Sequence, residues 1–287
     1  MSVADIGIRD FRPDDLDAAY DLFVEWQAEL VGEPKLTRGM FDNLVEIADA
    51  GFVAETAGGV VGTAFIRGQG GDVFVRGSER RRGIGTRLLR AIEGKAEEKV
   101  LSLVVMRPDD PARYFLEANG YSKAWEYWLM GVDLEEPREP IWPEGASVRT
   151  FREDDAAAVK ELLDVSYAAE PHHVPLPFED WRSFMLGDPS YDPEVWFLAL
   201  AEDRIVGAAL NWKEGYVKVV VVHPEWRGRG LGKALMLQTF GEFARRGIPR
   251  ITLKTDSINP TQAWGFYEHL GMTKERTYEV FDKPLAG

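Results

Sequence analysis

The sequence predicts a mixed α/β (α+β) fold, and predicts it twice. Three observations carry this. Helix-like and strand-like segments interleave along the chain, which places helices against a mixed sheet. The second half repeats the segment order of the first. A proline-rich stretch separates the two. The repeat rests on four matched pairs. "RDFRPDD" at 9–15 matches "RTFREDD" at 149–155, and "GFVAETAGGVVG" at 51–62 matches "WFLALAEDRIVG" at 196–207. Arg80, Gly83 and Gly85 match Arg227, Gly230 and Gly232, and "ARYFLEANGY" at 112–121 matches "AWGFYEHLGM" at 263–272. The offset drifts only from 140 to 151 residues, so this is a tandem duplication and not a solenoid. "LEEPREPIWPEGAS" at 134–147, with three prolines, reads as an extended connector. Domain one is therefore expected at 1–135, a linker at 136–145 and domain two at 146–287.

Each element has its own signal. A short strand (Ile6 to Arg9; Ser147 to Thr150) opens each copy. "RPDDLDAAYDLFVEW" and "REDDAAAVKELLDVSY" read as helices, with acidic residues at the start where the helix dipole favours them. Two strands joined by a polar turn follow, then "GDVFV" in one copy and "YVKVVVV" in the other. After a Gly-rich loop, Gly85, Leu88, Leu89, Ile92 and Ala96 form a helical stripe, as do Gly232, Leu235, Met236, Thr239 and Phe243. Gly247 and Pro249 stop the second of these helices. A strand ("VLSLVVM"; "ITLKTD"), a short helix and a final strand complete each copy.

Composition narrows the function. The 287 residues carry a net charge of −14, which excludes a broad nucleic-acid-binding face. Any bound anion must be held by a local cluster. There is no cysteine, hence no disulfide scaffold, thiolate zinc site or cysteine nucleophile. No metal site is expected, because His172–His173 has no spaced carboxylate partners. The start lacks a signal-peptide pattern and no run approaches ~18 apolar residues, so a cytoplasmic protein without a membrane partner is expected, as a monomer or homodimer.

The segment "VVVVHPEWRGRGLGKALM" at 219–236 reads as strand, loop and helix. Free N–H groups at such a helix start, together with the dipole, favour a phosphate. It is not a P-loop: Ala234 follows Lys233, and Arg227 stands where the first glycine is required. Glycines at 228, 230 and 232 do not make the dinucleotide fingerprint either. The pattern met is R-x-x-G-x-G, at Arg227–Gly232 and again at Arg80–Gly85.

With "NPTQAWGFYEHLGM" downstream, this arrangement resembles the GCN5-related N-acetyltransferase (GNAT) family, over both halves of the chain. The resemblance implies two tandem domains, each a mostly antiparallel sheet flanked by helices. It also implies acetyl-CoA as cosubstrate. The coenzyme A pyrophosphate would lie on Arg227, Gly228, Arg229, Gly230, Leu231, Gly232 and Lys233. The pantetheine arm would lie along Val220, Val221 and Val222, with Asn259, Phe266 and Tyr267 beside it. A weaker second site would comprise Val73, Val75, Arg80, Arg81, Arg82, Gly83, Ile84, Gly85 and Thr86.

Amide formation from a thioester sets two proton problems. An amine with pKa near ~10.4 must lose a proton, and the leaving thiolate must gain one. The family's tyrosine acid falls on Tyr267, four residues before Gly271; the matching residue in copy one is Leu116, which donates nothing. Pro108 likewise stands against Asn259. The second copy is thus expected to be the enzyme and the first a degenerate copy. The tandem layout is similar to that of the mycothiol synthases within the family, which carry an acidic base early in the strand before the loop. Here Tyr216 stands at that position and Glu214 two before it. The base stays open among Glu214, Asp256, His223 and a held water. The stretch 166–181 is read as a shaped loop over the acceptor pocket, where His172, His173 and Tyr216 are candidate substrate contacts. Trp125 and Trp128 are read as core or domain-face residues. The function expected is acetyl transfer to a primary amine of a small molecule. Two alternatives stay open: a non-catalytic CoA-binding or interaction module, and a peptide or protein amine acetyltransferase.

Overall fold

The structure is a computed structural model and describes residues 6–32, 38–135, 138–168, 175–258 and 263–285. The first copy runs β1 (Gly7–Asp10), α1 (Leu16–Val31), α2 (Arg38–Glu46), β2 (Ala50–Thr56), β3 (Gly59–Arg67), β4 (Gly70–Val75), α3 (Ile84–Glu93), β5 (Val100–Met106), α4 (Asp110–Ala118) and β6 (Ser122–Asp133). The second repeats it as β7 (Ala146–Thr150), α5 (Ala156–Tyr167), α6 (Phe178–Leu186), β8 (Phe197–Ala201), β9 (Arg204–Trp212), β10 (Tyr216–Val222), α7 (Leu231–Arg245), β11 (Arg250–Asp256), α8 (Ala263–His269) and β12 (Thr273–Pro284). Sequence reading placed every strand but overlooked α2 and α6. In particular, residues 178–181 are helix and not the shaped loop expected there, because α6 starts directly behind Pro177 with Glu179 and Asp180 in its first turn.

The opening heptapeptides have a shared purpose. Arg9 donates two hydrogen bonds of 2.7 Å to the Asp15 carboxylate, and Asp15 accepts the Arg12 N–H. Arg149, Asp155 and Arg152 repeat the arrangement. A guanidinium thus ties the first strand to the turn that starts the first helix. It holds each carboxyl below the usual aspartate range.

The chain forms two compact units: residues 1–125 with 278–287, and residues 126–277. In unit one the strand order is β1-β2-β3-β4-β5-β12, and in unit two it is β7-β8-β9-β10-β11-β6. Pairing is antiparallel except for β4 with β5 and β10 with β11. The last strand of each sequence copy therefore serves the other unit. Tyr278 to Pro284 pair with Met106 to Val100, and Tyr127 to Asp133 pair with Asp256 to Arg250. The units differ at these strands from segments divided at 135 and 146. Hydrophobic alternation marks a strand but does not name its partner.

Each unit packs a core under its sheet. In unit one Ile84, Leu88, Leu89 and Ile92 of α3 are buried against β3 and β5 residues such as Ile66 and Leu101. In unit two Met236, Phe240 and Phe243 of α7 meet Val217, Ile251 and Leu253. Trp128 lies in the same core, as one of its two expected placements. Trp196 is fully buried and donates its indole N–H to the Asn211 carbonyl at 2.9 Å, so its one polar atom is satisfied.

Candidate active site

The parallel ladder between β10 and β11 is short. It runs Tyr216↔Thr252 and Val217↔Leu253, and then the strands part. At the parting point β10 carries a bulge: its register against β9 shifts between Val217 and Val219, leaving Lys218 as the extra residue. Beyond it, β10 pairs only with β9. The His223 N–H bonds the Val206 carbonyl, so alternation turns the N–H groups of Val219 and Val221 to β9 and those of Val220 and Val222 to the open side. Val221 is buried in the core, so of the three valines expected to border a ligand, Val220 and Val222 present their N–H groups.

The open edge borders a cleft of about 840 Å³. Its wall from the loop is Trp226, Arg227, Gly228, Gly230, Leu231, Gly232 and Lys233, and α8 contributes Ala263, Phe266 and Tyr267. Gly228 (φ +75°) and Gly230 (φ +87°) have left-handed backbones, and a Cβ on either would meet nothing within 4 Å. Glycine serves the loop's turn there, and the space over it is open. Gly230 caps α7, so the N–H groups of the first turn face that space. Leu231 is buried, so only its backbone is available.

Charge at the loop is positive. Arg227 donates to the carbonyls of Val222 (3.2 Å) and Ser166 (2.9 Å), which fixes its guanidinium across the strand end and α5. Arg229 lies 4.8 Å from the Trp226 ring centroid. Among the described residues neither these two arginines nor Lys233 has a carboxylate partner. Ser166 is buried and lines the cleft, and its hydroxyl has no hydrogen-bond partner among the described residues. Buried polar atoms are normally satisfied, so this hydroxyl on the cleft wall is a candidate partner for a bound ligand. An elongated ligand with a polyanionic end on the loop and an apolar arm along β10 fits these groups, which is the shape and charge of an acyl-CoA.

Tyr267 is 9% exposed on α8 and borders the cleft. Its carbonyl accepts the N–H groups of Leu270 and Met272 at the helix end, and Leu116 does the same with Asn119 and Tyr121. The two residues therefore occupy one backbone position, but Leu116 is packed into the unit-one core. The candidate bases separate. Asp256 borders the cleft, and its carboxylate accepts the Ile258 N–H at 3.2 Å. Glu214 sits on the exposed turn at the far end of β10, and Tyr216 begins that strand; neither borders the cleft. His223 faces another hollow, its Nε2 2.6 Å from Arg204 and its Nδ1 accepting the Glu225 N–H. Asn259, His172 and His173 lie outside the described residues.

Unit one repeats the loop and alters its surroundings. Gly83 caps α3 at φ +77°, and Arg81 holds φ +63° where the second copy has Gly228. The Arg76 N–H bonds the Val61 carbonyl, so Val73 and Val75 face an open edge, and Thr86 and Gly85 line a cleft of about 310 Å³. The ladder of β4 with β5 also stops early, at Gly71↔Leu103, but β4 has no bulge. Trp26 stands at the position of Ser166 and closes part of the cleft, edge-on to Phe74 at 5.2 Å. Arg76, Arg80 and Arg82 are paired with Glu25, Glu29 and Glu79. The sequence pattern alone did not show Ser166 or Trp26, although the 140-residue offset sets a small polar residue against a large ring.

Among the described residues no three or more His, Asp or Glu are grouped to hold a metal, and no helix is long and apolar enough to cross a membrane. The profile of the family described as "Acetyltransferase (GNAT) family" matches residues 12–121 and 156–272. A mycothiol acetyltransferase of Thermomonospora curvata is 31% identical over 228 residues, 76% of this chain and 74% of that protein. One from Thermobispora bispora is 33% identical over 219 residues, 71% of this chain and 72% of that protein. Among solved structures, a GCN5-related N-acetyltransferase from Sphaerobacter thermophilus superposes with a TM-score of 0.82 at 24% identity, covering 100% of this chain and 98% of that one. A tandem GNAT protein from the clavulanic acid biosynthesis pathway gives 0.73 at 18% identity over 98% of this chain and 99% of that one.

Proposed function

The chain belongs to the GNAT acetyltransferase family, and from that premise we propose that its second copy transfers the acetyl group of acetyl-CoA to a primary amine of a small molecule. The observation that carries the choice of copy is the open, positively charged cleft of unit two with Tyr267 on its wall. The relatives named for mycothiol acetylation support a small-molecule acceptor.

The residues divide the work as follows. Arg227, Arg229, Lys233 and the N–H groups at the start of α7 hold the pyrophosphate. The N–H groups of Val220 and Val222 bond the pantetheine arm as an added strand would, and stabilise the oxyanion that forms on the thioester carbonyl. Asp256, the candidate base that borders the cleft, accepts a proton from the acceptor ammonium. The freed nitrogen attacks the carbonyl carbon, and the C–S bond breaks. The Tyr267 hydroxyl gives its proton to the departing sulfur, and the tyrosinate regains one from the nitrogen, which sheds its second proton as the amide forms. The products are a neutral amide and a neutral thiol, and the proton on Asp256 passes to solvent. No covalent enzyme intermediate is needed.

Tyr267→Phe tests the reading. Turnover, followed as free CoA thiol, is expected to fall by about 10²-fold or more, with acetyl-CoA affinity changed little, because the lost group acts on the leaving atom. Unchanged turnover overturns the role of Tyr267.

A further inference from the structure

The point where β10 and β11 separate breaks a rule of sheet design. The last parallel pair is Val217↔Leu253, and the next residue on each strand is a lysine, Lys218 and Lys254. Val217 and Leu253 point into the core, so both lysines project from the opposite face, and both border the cleft. Like charges on neighbouring strands at one level destabilise a sheet. Such a local conflict is retained where it serves a site.

Aromatic rings support the two ammonium groups. Lys218 Nζ is 5.1 Å from the Phe184 ring centroid on α6, and Lys254 Nζ is 5.5 Å from that of Tyr127. Arg276 of β12 adds a third positive charge close enough to act on Lys254. The carboxylate that acts on Lys218 is Asp188, which lies beyond ion-pair distance and accepts the Ser190 N–H. Both side chains are exposed to solvent at the open cleft; the protein atoms around them still lower their affinity for protons, and in Lys254 the charge of Lys218 adds to the effect. Asp256, two residues beyond Lys254, is reserved for the amine. Unit one has nothing equivalent: Val104 occupies the place of Lys254, and Asp72 on β4 is paired with Arg67.

We propose that Lys218 and Lys254 form a subsite for an anionic group, carboxylate or phosphate, on the acceptor amine. The anion removes the repulsion between the lysines and directs the amine to Asp256. The chain's net charge of −14 repels such a molecule at long range, so selection depends on this local cluster. The assignment rests on the second copy being the acetyltransferase.

The test uses the full chain with saturating acetyl-CoA and three acceptors of similar size: ethanolamine, phosphoethanolamine and β-alanine. At least one anionic acceptor is expected to exceed ethanolamine in kcat/KM by about tenfold or more, the scale of one charge-assisted hydrogen bond. Lys218→Gln and Lys254→Gln should each reduce that ratio, chiefly through KM, and Lys218→Arg should preserve it. Equal use of all three acceptors, or a parallel loss on all three in the variants, overturns the subsite. A binding arm is independent of turnover. Inorganic phosphate and acetate are titrated calorimetrically into the CoA-saturated wild type and into Lys218→Gln. Phosphate or acetate binding lost in the variant supports the subsite even if no amine is acetylated, in which case the acetyltransfer reading alone falls. If no amine is acetylated and neither anion binds in a Lys218-dependent way, both readings fall.

Discussion

The loops at 80–85 and 227–232 share one backbone and differ in their neighbours. Both are capped by a left-handed glycine and both follow a strand with an open edge. Around the first, three arginines are neutralised by glutamates, two of them supplied by α1, and Trp26 stands in the cleft. Around the second, Arg227 and Arg229 have no carboxylate partner among the described residues, and Ser166 leaves room together with a hydroxyl unsatisfied among them. A phosphate-binding loop is therefore a shape that its surroundings can switch off. Under the proposed function, the first copy differs through the residues that face the loop, while the loop's backbone is shared.

Exchanging residues between the copies tests this. The largest effect is expected from Ser166→Trp, which sets the equivalent of the Trp26 ring in the cleft of unit two. Acetyl-CoA affinity measured by calorimetry should fall by about 100-fold, or ~2.7 kcal/mol, with the circular dichroism spectrum retained. Wild-type affinity in this variant would show that Ser166 does not border the bound arm. Next, Gly230→Ala imposes a Cβ on a left-handed residue at a cost of about 1–2 kcal/mol and places a methyl group over the α7 N-terminus. The dissociation constant should rise about tenfold. Gly83→Ala carries the same backbone cost, so it should lower the melting temperature and leave acetyl-CoA affinity unchanged; equal losses of affinity would make the first loop a working site.

The smallest effect concerns a feature the copies share. Asp155 is held below its usual range by Arg149, so its contribution to stability is complete above the unfolded-state value of ~3.9 and is lost as pH falls through the lower folded value. Arg149→Met should move the acid-unfolding midpoint, read by circular dichroism, up by a few tenths of a pH unit. The pair is partly solvent-screened, which keeps the shift small. Arg9→Met should do the same through Asp15, and a midpoint insensitive to both would show that the heptapeptide pairs add no stability.

Much of this was legible before the fold was seen. The duplication and the strand–loop–helix units follow from periodicity and spacing, because glycine, proline and capping residues act locally; the repeat sets Tyr267 against Leu116, and the family resemblance implies why that contrast matters. The rest depends on chain segments that meet only in space. Lys218 and Lys254 are 36 residues apart and become neighbours through a short parallel ladder. Asp256 is separated from Glu214 and His223 only by which of them borders the cleft. α6 did have a local signal, a proline followed by acidic residues, hidden by the three prolines of the segment before it.

The crossing of the final strands sets a limit on what this gene can discard. Residues 127–133, the tail of the first copy, cover the outer edge of β11, the strand that carries Lys254 and Asp256. A truncation that shed the first copy would strip that strand and leave β11 with a bare edge, open to pairing with other chains. The first copy is therefore tied to the second by its backbone, whatever chemistry each performs. The first half supplies the selvedge of the second.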